Sequence, residues 1–240
     1  MNKIFTAFLI VLLWISPAIA LSPQDILEKA DGVRAPFESF VMDIDLTSPD
    51  ETMRFNTFSK GGEDTLVLYL MPKKEKGKLL LMKEEDLWIY IPGTRRALRI
   101  TPMQKLMGGV SNGDITRLRW AKDYDAKLMG EEDTKYQLEL LAQKKSATYY
   151  KMIVWIEKKS FKPIKAVVYL KSGKLYKTMY FIGFKTFSGK LMATDIKFID
   201  HLKSEKETVM TFSKVIEKEV PDNYFNIAEV PRLSEILSDR

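Results

Sequence analysis

The sequence predicts a mainly β protein in which one long antiparallel sheet curls on itself and few helices are left to cover it. After a single N-terminal helical pattern, apolar residues recur with a period of two over most of the chain. Gly, Pro and acidic turns separate about a dozen such runs, and the regular exchange of strand and helix that a parallel sheet requires is absent. A single sheet of so many strands must curl, split or close, and the pattern favours curling.

Residues 1–20 have the composition of a secretory signal that is cleaved. A positive charge at Lys3 precedes an apolar run from Ile4 to Ile15, and small residues ending at Ala20 follow. A retained N-terminal anchor is the alternative, but the apolar run is too short to span a bilayer comfortably. We therefore expect an exported protein that is soluble after cleavage, with residues 21–240 forming a single domain.

The composition excludes several classes of site. The chain has no Cys, so disulfides, thiolate metal sites and cysteine nucleophiles are all excluded. The net charge of +6 is spread along the chain instead of being gathered into one basic tract. Pairs of lysines are interpreted as solvated turns and strand ends, and a nucleic-acid partner is not expected. These pairs are Lys73-Lys74, Lys144-Lys145 and Lys158-Lys159.

The first element is predicted to be a helix that ends at about Arg34. Ser22 is a suitable N-cap, Pro23 fits the first helical position, and Asp25 completes an approximate capping box. A second, short helix is predicted from Asp114 to about Ala121, and a last helical piece follows near the C-terminus, from Leu233 to Leu237.

The remaining elements are predicted to be strands joined by hairpin turns. The tripeptide Ser-Gly-Lys occurs at 172–174 and again at 188–190, each time between two long apolar runs, which is typical of successive hairpins. The predicted strands lie at about 40–47, 52–60, 65–71, 78–83, 87–91, 96–101, 123–130, 135–143, 147–158, 163–171, 174–187, 191–202 and 206–217.

Several of these strands are apolar on both faces. In 87–91, Trp88 and Tyr90 alternate with Leu87 and Ile89, and the runs at 149–156 and 174–187 behave in the same way. Antiparallel sheets usually leave one face to water, so the second apolar face needs a partner. Two interpretations remain: a well-filled sandwich with aromatics at its rims, or a hollow that holds an apolar ligand.

No convincing catalytic group is found. Residues 109–113 match the G-x-S-x-G pattern around Ser111, but that motif needs a parallel sheet and a histidine. The only histidine, His201, lies in a predicted strand among charged neighbours. Acidic turns without His or Cys partners do not indicate a metal site, and we predict neither a metal nor a cofactor. The protein is therefore predicted not to be an enzyme, and a hydrolase that uses Ser111 is the alternative.

Three sequence blocks resemble a known family. The segments DLWIYIPGTRRALRI, MGGVSNGDI and DYDAKLMGEED are similar to the W-x-Y-x-P-x-x-R-R-x-x-R, G-G-V-S-N-G-D and Y-x-x-x-x-x-G-x-E blocks of the outer-membrane lipoprotein-sorting (LolA-like) family. The segments TYYKMIVWIEKKSFKPIKAVVYLKSGKLYKTMYF and PDNYF continue the resemblance, which spans about residues 30–226.

The resemblance implies a fold and a function. The fold would be an incomplete, half-open β-barrel covered by a few short α-helices, with a hollow that receives acyl chains. The protein would then be a periplasmic carrier that binds the acyl chains of a lipoprotein or lipid and moves it toward the outer membrane. Membrane-bound donor and acceptor proteins would be its partners. The alternative is an exported sensor or adaptor that uses the same barrel to bind a protein partner or a membrane transporter.

Candidate binding residues follow from the strands that are apolar on both faces and from the family resemblance. Arginines near the mouth would pair bidentately with lipid phosphate or contact a membrane-bound partner, although ordinary strand-end ion pairs are the alternative. The residues expected at the mouth are Arg95, Arg96 and Arg99. The residues expected in the apolar cavity wall are Trp88, Tyr90, Trp155, Tyr180 and Phe184.

Overall fold

The computed structural model describes residues 21–94, 96–202 and 206–238. The predicted signal segment 1–20 and Arg95 lie outside the described residues. Within the described part of the chain, no helix is both long and apolar enough to cross a membrane.

The described residues form three α-helices and fifteen strands. The helices are α1 (Pro23–Arg34), α2 (Asn112–Thr116) and α3 (Val230–Ser238), with single 3-10 turns at Lys73–Glu75, Asp222–Phe225 and Ile227–Glu229. The strands are β1 (Ser39–Thr47), β2 (Thr52–Lys60), β3 (Asp64–Met71), β4 (Leu79–Lys83), β5 (Asp86–Tyr90), β6 (Leu98–Ile100), β7 (Lys105–Met107), β8 (Val110–Ser111), β9 (Tyr124–Glu131), β10 (Lys135–Ala142), β11 (Lys151–Glu157), β12 (Pro163–Tyr169), β13 (Leu175–Phe187), β14 (Lys190–Asp200) and β15 (Glu207–Glu217).

Thirteen strands form one antiparallel sheet that is not closed. The order is β6-β5-β4-β3-β2-β1-β15-β14-β13-β12-β11-β10-β9, so β6 and β9 are its two edges. Strands that pair in this sheet are also neighbours in sequence, except β1 and β15, whose pairing joins the two halves of the chain. A separate two-stranded ribbon, β7-β8, leads into α2. The predicted fold class, a curled antiparallel sheet forming a half-open barrel with few short helices, is confirmed.

The helix α1 lies inside the curl of the sheet. Its capping box is present as predicted, because the Ser22 hydroxyl accepts from the Asp25 N–H at 3.1 Å and the Asp25 carboxylate accepts from the Ser22 N–H at 3.0 Å. The helix contacts β14, β12 and β9, which are separated along the sheet. Only an element on the concave side of a curled sheet can contact strands that are so far apart.

The outer face of β2–β5 is covered by the C-terminal segment. A second apolar cluster joins Leu79 and Leu81 of β4 to Val220, Phe225 and Leu233 beyond the last strand. The hydroxyl of Ser234 in α3 also donates to the Gly77 carbonyl at 2.6 Å. The second apolar face of β5 is therefore covered by the end of the chain itself, through packing that joins elements more than a hundred residues apart in sequence.

The helix predicted from Asp114 to Ala121 is shifted in the structure. Helix α2 begins at Asn112 and ends at Thr116, because Ser111 is its N-cap and Asp114 occupies the third helical position. The Asp114 carboxylate accepts from the Ser111 N–H at 2.8 Å. Both predicted Ser-Gly-Lys turns are present, with positive φ values of 81° at Gly173 and 78° at Gly189.

Candidate functional site

The concave side of the sheet is filled by side chains. Helix α1 inserts Ile26, Leu27 and Ala30, and α2 inserts Ile115, into one inner cluster that all parts of the sheet share. These side chains are at most 2% exposed. Such close packing leaves small voids only, because interiors pack as densely as organic crystals.

Two voids lie within this inner cluster. One, beside Arg34, Trp120 and Met179, has a volume of about 20 Å³. The other, beside Leu118 and Phe212, has a volume of about 10 Å³. Each has room for about one water molecule. Neither void is large enough for an acyl chain, because side chains of the two helices pack into this part of the curl.

Four of the five expected wall residues lie on the outer face of the sheet. Trp88 and Tyr90 belong to the cluster under the C-terminal segment, whereas Leu87 and Ile89 of the same strand face the inner cluster. Trp155 and Tyr180 flank the Lys165 ammonium, which lies 5.1 Å and 5.6 Å from their ring centroids.

The fifth residue, Phe184, lies against the inner cluster, with the Lys162 ammonium 5.0 Å from its ring centroid. The five residues are therefore not brought together around one site. If the alternation of a strand is assigned one residue out of step, every side chain of that strand is placed on the wrong face of the sheet. In β13, a bulge between Phe181 and Phe184 also shifts the alternation within the strand.

The described arginines of the expected mouth lie at an edge of the sheet. Arg96 is exposed in the bend before β6. Arg99 is exposed on β6 and forms an ion pair with Asp86 on the neighbouring strand β5. For Arg99 the structure thus shows the strand-end ion pair that was the alternative to a headgroup contact.

A buried polar network lies between α2 and the sheet. The Lys177 ammonium donates to Tyr149 OH at 2.6 Å, to Ser111 Oγ at 3.1 Å and to Asp114 Oδ2 at 3.1 Å. The Lys177 side chain is 0% exposed and the Asp114 side chain is 6% exposed. The Tyr149 hydroxyl donates to the Asp114 carboxylate at 2.6 Å. Every group in the network therefore has a partner, as buried charges require.

The titration of this network follows from its burial. Burial lowers the pKa of Lys177 below its ordinary value, although the charge and hydrogen bond of Asp114 act in the opposite direction. Burial, and then the charge of Asp114, raise the pKa of Tyr149 well above its ordinary value. Tyr149 is therefore a neutral donor at physiological pH.

The surroundings of Ser111 do not form a nucleophile site. The residue is 0% exposed, and its hydroxyl accepts a hydrogen bond from the Lys177 ammonium. His201 bonds to the Thr178 hydroxyl at 2.9 Å instead. A serine nucleophile needs a path for substrate, and the full burial of Ser111 among the described residues leaves its hydroxyl without one.

A surface groove of about 700 Å³ lies at one end of the curled sheet. The segment after the edge strand β6 forms one side of this groove, and the β10–β11 and β12–β13 connections form the other. Its volume is within the usual range for sites that bind small molecules. Its lining includes apolar Pro102, Met103, Ala142, Ala147, Tyr150 and Leu170, and the lysines Lys144, Lys145 and Lys171.

The floor of the groove adjoins the buried network. Thr148 and Tyr149 line the groove and also line the void of about 20 Å³ inside the inner cluster. Tyr149 is held there by Asp114 and Lys177. The network therefore positions the wall that separates the groove from the interior.

The fold of the chain is similar to that of known proteins. A protein-family model described as "Uncharacterized protein" matches residues 61–232. The crystal structure of a LolA superfamily protein from Nitrosomonas europaea is similar with a TM-score of 0.80 and 35% sequence identity, over 86% of this chain and 98% of that one. The chain belongs to the LolA superfamily.

Two further solved structures show the same LolA-like fold. A DUF1329 family protein from Desulfovibrio piger matches with a TM-score of 0.72 and 23% identity, over 87% of this chain and 97% of that one. A domain from Vibrio parahaemolyticus named for outer membrane lipoprotein sorting matches with a TM-score of 0.72 and 21% identity, over 88% of this chain and 98% of that one. None of the curated protein sequences matches the chain.

Sequence reasoning missed the two features that shape the candidate site of this LolA superfamily chain. Lys177 lies in a strand between Tyr176 and Thr178, and nothing local distinguishes it from a solvated lysine. Lys144 and Lys145 were interpreted as a solvated turn, which describes their exposure but not the groove that they line. The sequence feature that comes closest to indicating the buried network is the G-G-V-S-N-G-D block, because it contains both Ser111 and Asp114.

Proposed function

We propose that this protein is a periplasmic carrier that binds an acyl chain of a lipoprotein or lipid and moves it toward the outer membrane without catalysing a reaction. The observation that carries the proposal is the groove of about 700 Å³ at one end of a LolA-like sheet. We assign the acyl chain to this groove and not to the concave side of the sheet, because side chains of the inner cluster pack there.

The physical requirement for such a carrier is modest. Transfer of an acyl chain into water costs about 0.8 kcal/mol per CH₂, so a 14-carbon chain faces roughly 11 kcal/mol without a carrier. A groove that removes most of the chain from water is sufficient, since the carrier must also release its cargo. Met103, Tyr150 and Leu170 supply apolar contact there, and methionine adapts to chains of different shape.

The proposal is tested by native mass spectrometry of the protein purified from a membrane-containing extract, followed by titration with a 14-carbon amphiphile. Met103 is 41% exposed in the groove and Met129 is 51% exposed on the edge strand β9. We expect Met103→Glu to weaken binding about tenfold, since it places a charge against the chain, and Met129→Glu to leave binding unchanged. Equal binding by both variants, or the absence of bound lipid and amphiphile, would contradict the proposal.

A second candidate function is an adaptor that binds a protein partner or a membrane transporter. It is favoured by a separate outer groove of about 380 Å³, where β1–β3 and β15 meet α3. This groove is lined by Phe58, Leu68, Leu70 and Ile216, and Ile216 is 58% exposed. Protein that co-purifies with a partner but without lipid, and that loses the partner on Ile216→Glu, would favour the adaptor over the carrier.

A further inference from the structure

The polar lining of the groove is cationic. Lys144, Lys145 and Lys171 line it, and no Asp or Glu does so among the described residues. Lys144 has a carboxylate in reach, because Glu63 lies 3.5 Å from its ammonium, but Glu63 also bonds to Lys122 at 3.1 Å. The lining of the groove therefore has an excess of positive charge.

The lysines lie beside the apolar part of the groove instead of on a separate surface. The Lys171 ammonium lies 5.7 Å from the centroid of the Tyr150 ring, and Tyr150 lines the groove itself. Met103 faces the groove from the segment after β6. An anionic amphiphile matches both parts, because it carries a negatively charged group next to its hydrocarbon.

We propose that the groove binds the phosphate of an anionic lipid headgroup through Lys144, Lys145 and Lys171, with the acyl chain against Met103 and Leu170. This inference rests on the proposed carrier function and names the class of lipid that the groove prefers. Several ammonium groups suit a phosphate, because its charge is spread over several oxygens that each accept a hydrogen bond.

The test compares two ligands that differ only in the phosphate. The probes are 1-myristoyl-lysophosphatidic acid and 1-myristoylglycerol, titrated by calorimetry below their critical micelle concentrations into the protein without residues 1–20. We expect the phosphate ligand to bind about tenfold more tightly, since an exposed ion pair contributes only a small factor. This preference should decrease as the salt concentration rises, because exposed charges are screened.

Two triple variants with the same change in net charge locate the effect. Lys144→Gln, Lys145→Gln and Lys171→Gln together should reduce the affinity for the phosphate ligand to that for the neutral one. The matched control is Lys73→Gln, Lys74→Gln and Lys76→Gln, which changes three exposed lysines outside the groove lining. The control should keep the preference. Equal loss in both triples would overturn the inference, because it would indicate a general effect of charge.

The remaining outcomes separate this inference from the carrier function. If both ligands bind equally well to the unchanged protein, the phosphate preference is wrong and the carrier function stands. If neither ligand binds, both are wrong. Inorganic phosphate is the third probe: if it binds as tightly as the phosphate ligand, and the neutral ligand does not bind, the lysines hold free phosphate and the lipid inference is overturned.

Discussion

Lys177 is the residue whose environment most constrains the site. Its ammonium is fully buried, yet it has three hydrogen-bond acceptors, among them the carboxylate of Asp114. A buried charge of this kind is tolerated only while its partners stay in place, because removal of one partner leaves the other charge uncompensated. Lys177 therefore couples the start of α2 to strand β13 and to the floor of the groove.

The first prediction concerns this ion pair. We expect Lys177→Met to lower the free energy of unfolding by about 3–5 kcal/mol, because Asp114 is left buried without a cation. The control is Lys174, which is exposed in the turn before the same strand. Lys174→Met should change the free energy of unfolding by less than about 0.5 kcal/mol. Urea denaturation measures both.

A double variant separates the ion pair from simple loss of packing. Lys177→Met combined with Asp114→Asn should be less destabilising than the sum of the two single changes, since the second change removes the uncompensated charge. Strict additivity in this cycle would show that the two groups are not energetically coupled.

At the scale of elements, the C-terminal segment covers the second apolar face of β5. Helix α3 places Leu233 and Leu237 in the cluster that also contains Tyr90 and contacts Trp88. Without this cover, an apolar sheet face of that size would be exposed to solvent, which is unusual for a monomeric protein. The end of the chain is therefore part of the core.

The second prediction tests this cover. Leu233 is 3% exposed, whereas Ile236 on the same helix is 44% exposed. Leu233→Ala should cost about 2–5 kcal/mol of unfolding free energy, and Ile236→Ala should cost much less. We also expect Leu233→Ala to increase the binding of a dye specific for exposed apolar surface. Similar effects of the two variants would contradict the assigned orientation of α3.

The third prediction is a pH dependence in the same segment. The Lys60 ammonium lies 2.7 Å from Asp222 and 2.8 Å from Glu219, and so joins β2 to the chain that leads into α3. The hydrogen bond and charge of Lys60 lower the pKa of Asp222 below its ordinary value of 3.8. Ionised Asp222 therefore stabilises the folded state above pH 3.8, and this contribution is lost as the pH falls through the lowered pKa.

The measurement is hydrogen exchange of the α3 amides between pH 6 and pH 3, corrected for the intrinsic rates. Lys60→Met should reduce the acid-dependent loss of protection, and Lys218→Met, which changes an exposed lysine nearby, should not. If the unchanged protein and Lys60→Met lose protection equally, the ion pair does not contribute to holding the segment.

At the scale of the whole molecule, an open sheet is combined with a filled interior. The edges β6 and β9 remain unpaired with each other, yet α1 and α2 occupy the concave side. A ligand of acyl-chain size therefore has two physically distinct routes: it occupies the groove at the end of the sheet, or it displaces the helices from the interior. The first route leaves the inner cluster intact.

The fourth prediction distinguishes these routes. On addition of a 14-carbon amphiphile, hydrogen exchange should slow in 101–103, 142–145, 147–150 and 170–172, which line the groove. Exchange in α1 and β14 should not change, because their packing is not opened. Faster exchange in α1 and β14 on binding would show that the ligand enters the interior, and the groove would then be an entrance and not the site.

The elements themselves could be predicted because they depend on local chemistry. The Ser22 capping box defined the start of α1, and the turns at Gly173 and Gly189 separated β12 from β13 and β13 from β14. The period-two runs between such turns predicted the curled sheet. Helix α2 begins and ends earlier than predicted, because Asp114 occupies its third position and accepts a hydrogen bond from the N-cap Ser111.

The faces of the strands could not be predicted in the same way. Both faces of β5 are apolar, so its residues do not reveal that Leu87 points inward and Trp88 outward. Bulges add to the difficulty, because each one shifts the alternation of a strand by one residue, as in β13. Every cavity-wall residue chosen from sequence depended on that unknown direction.

The sequence by itself determined the antiparallel sheet and its helical start, because period, caps and turns act between near neighbours. Its motif blocks separately carried the resemblance to lipoprotein-sorting proteins. Only the tertiary structure decided that α1 fills the curl, that the C-terminal segment covers β5, and that Lys177 meets Asp114. It also brought Met103 and Lys171 to one groove. These arrangements depend on contacts between residues distant along the chain, and such contacts leave no local pattern.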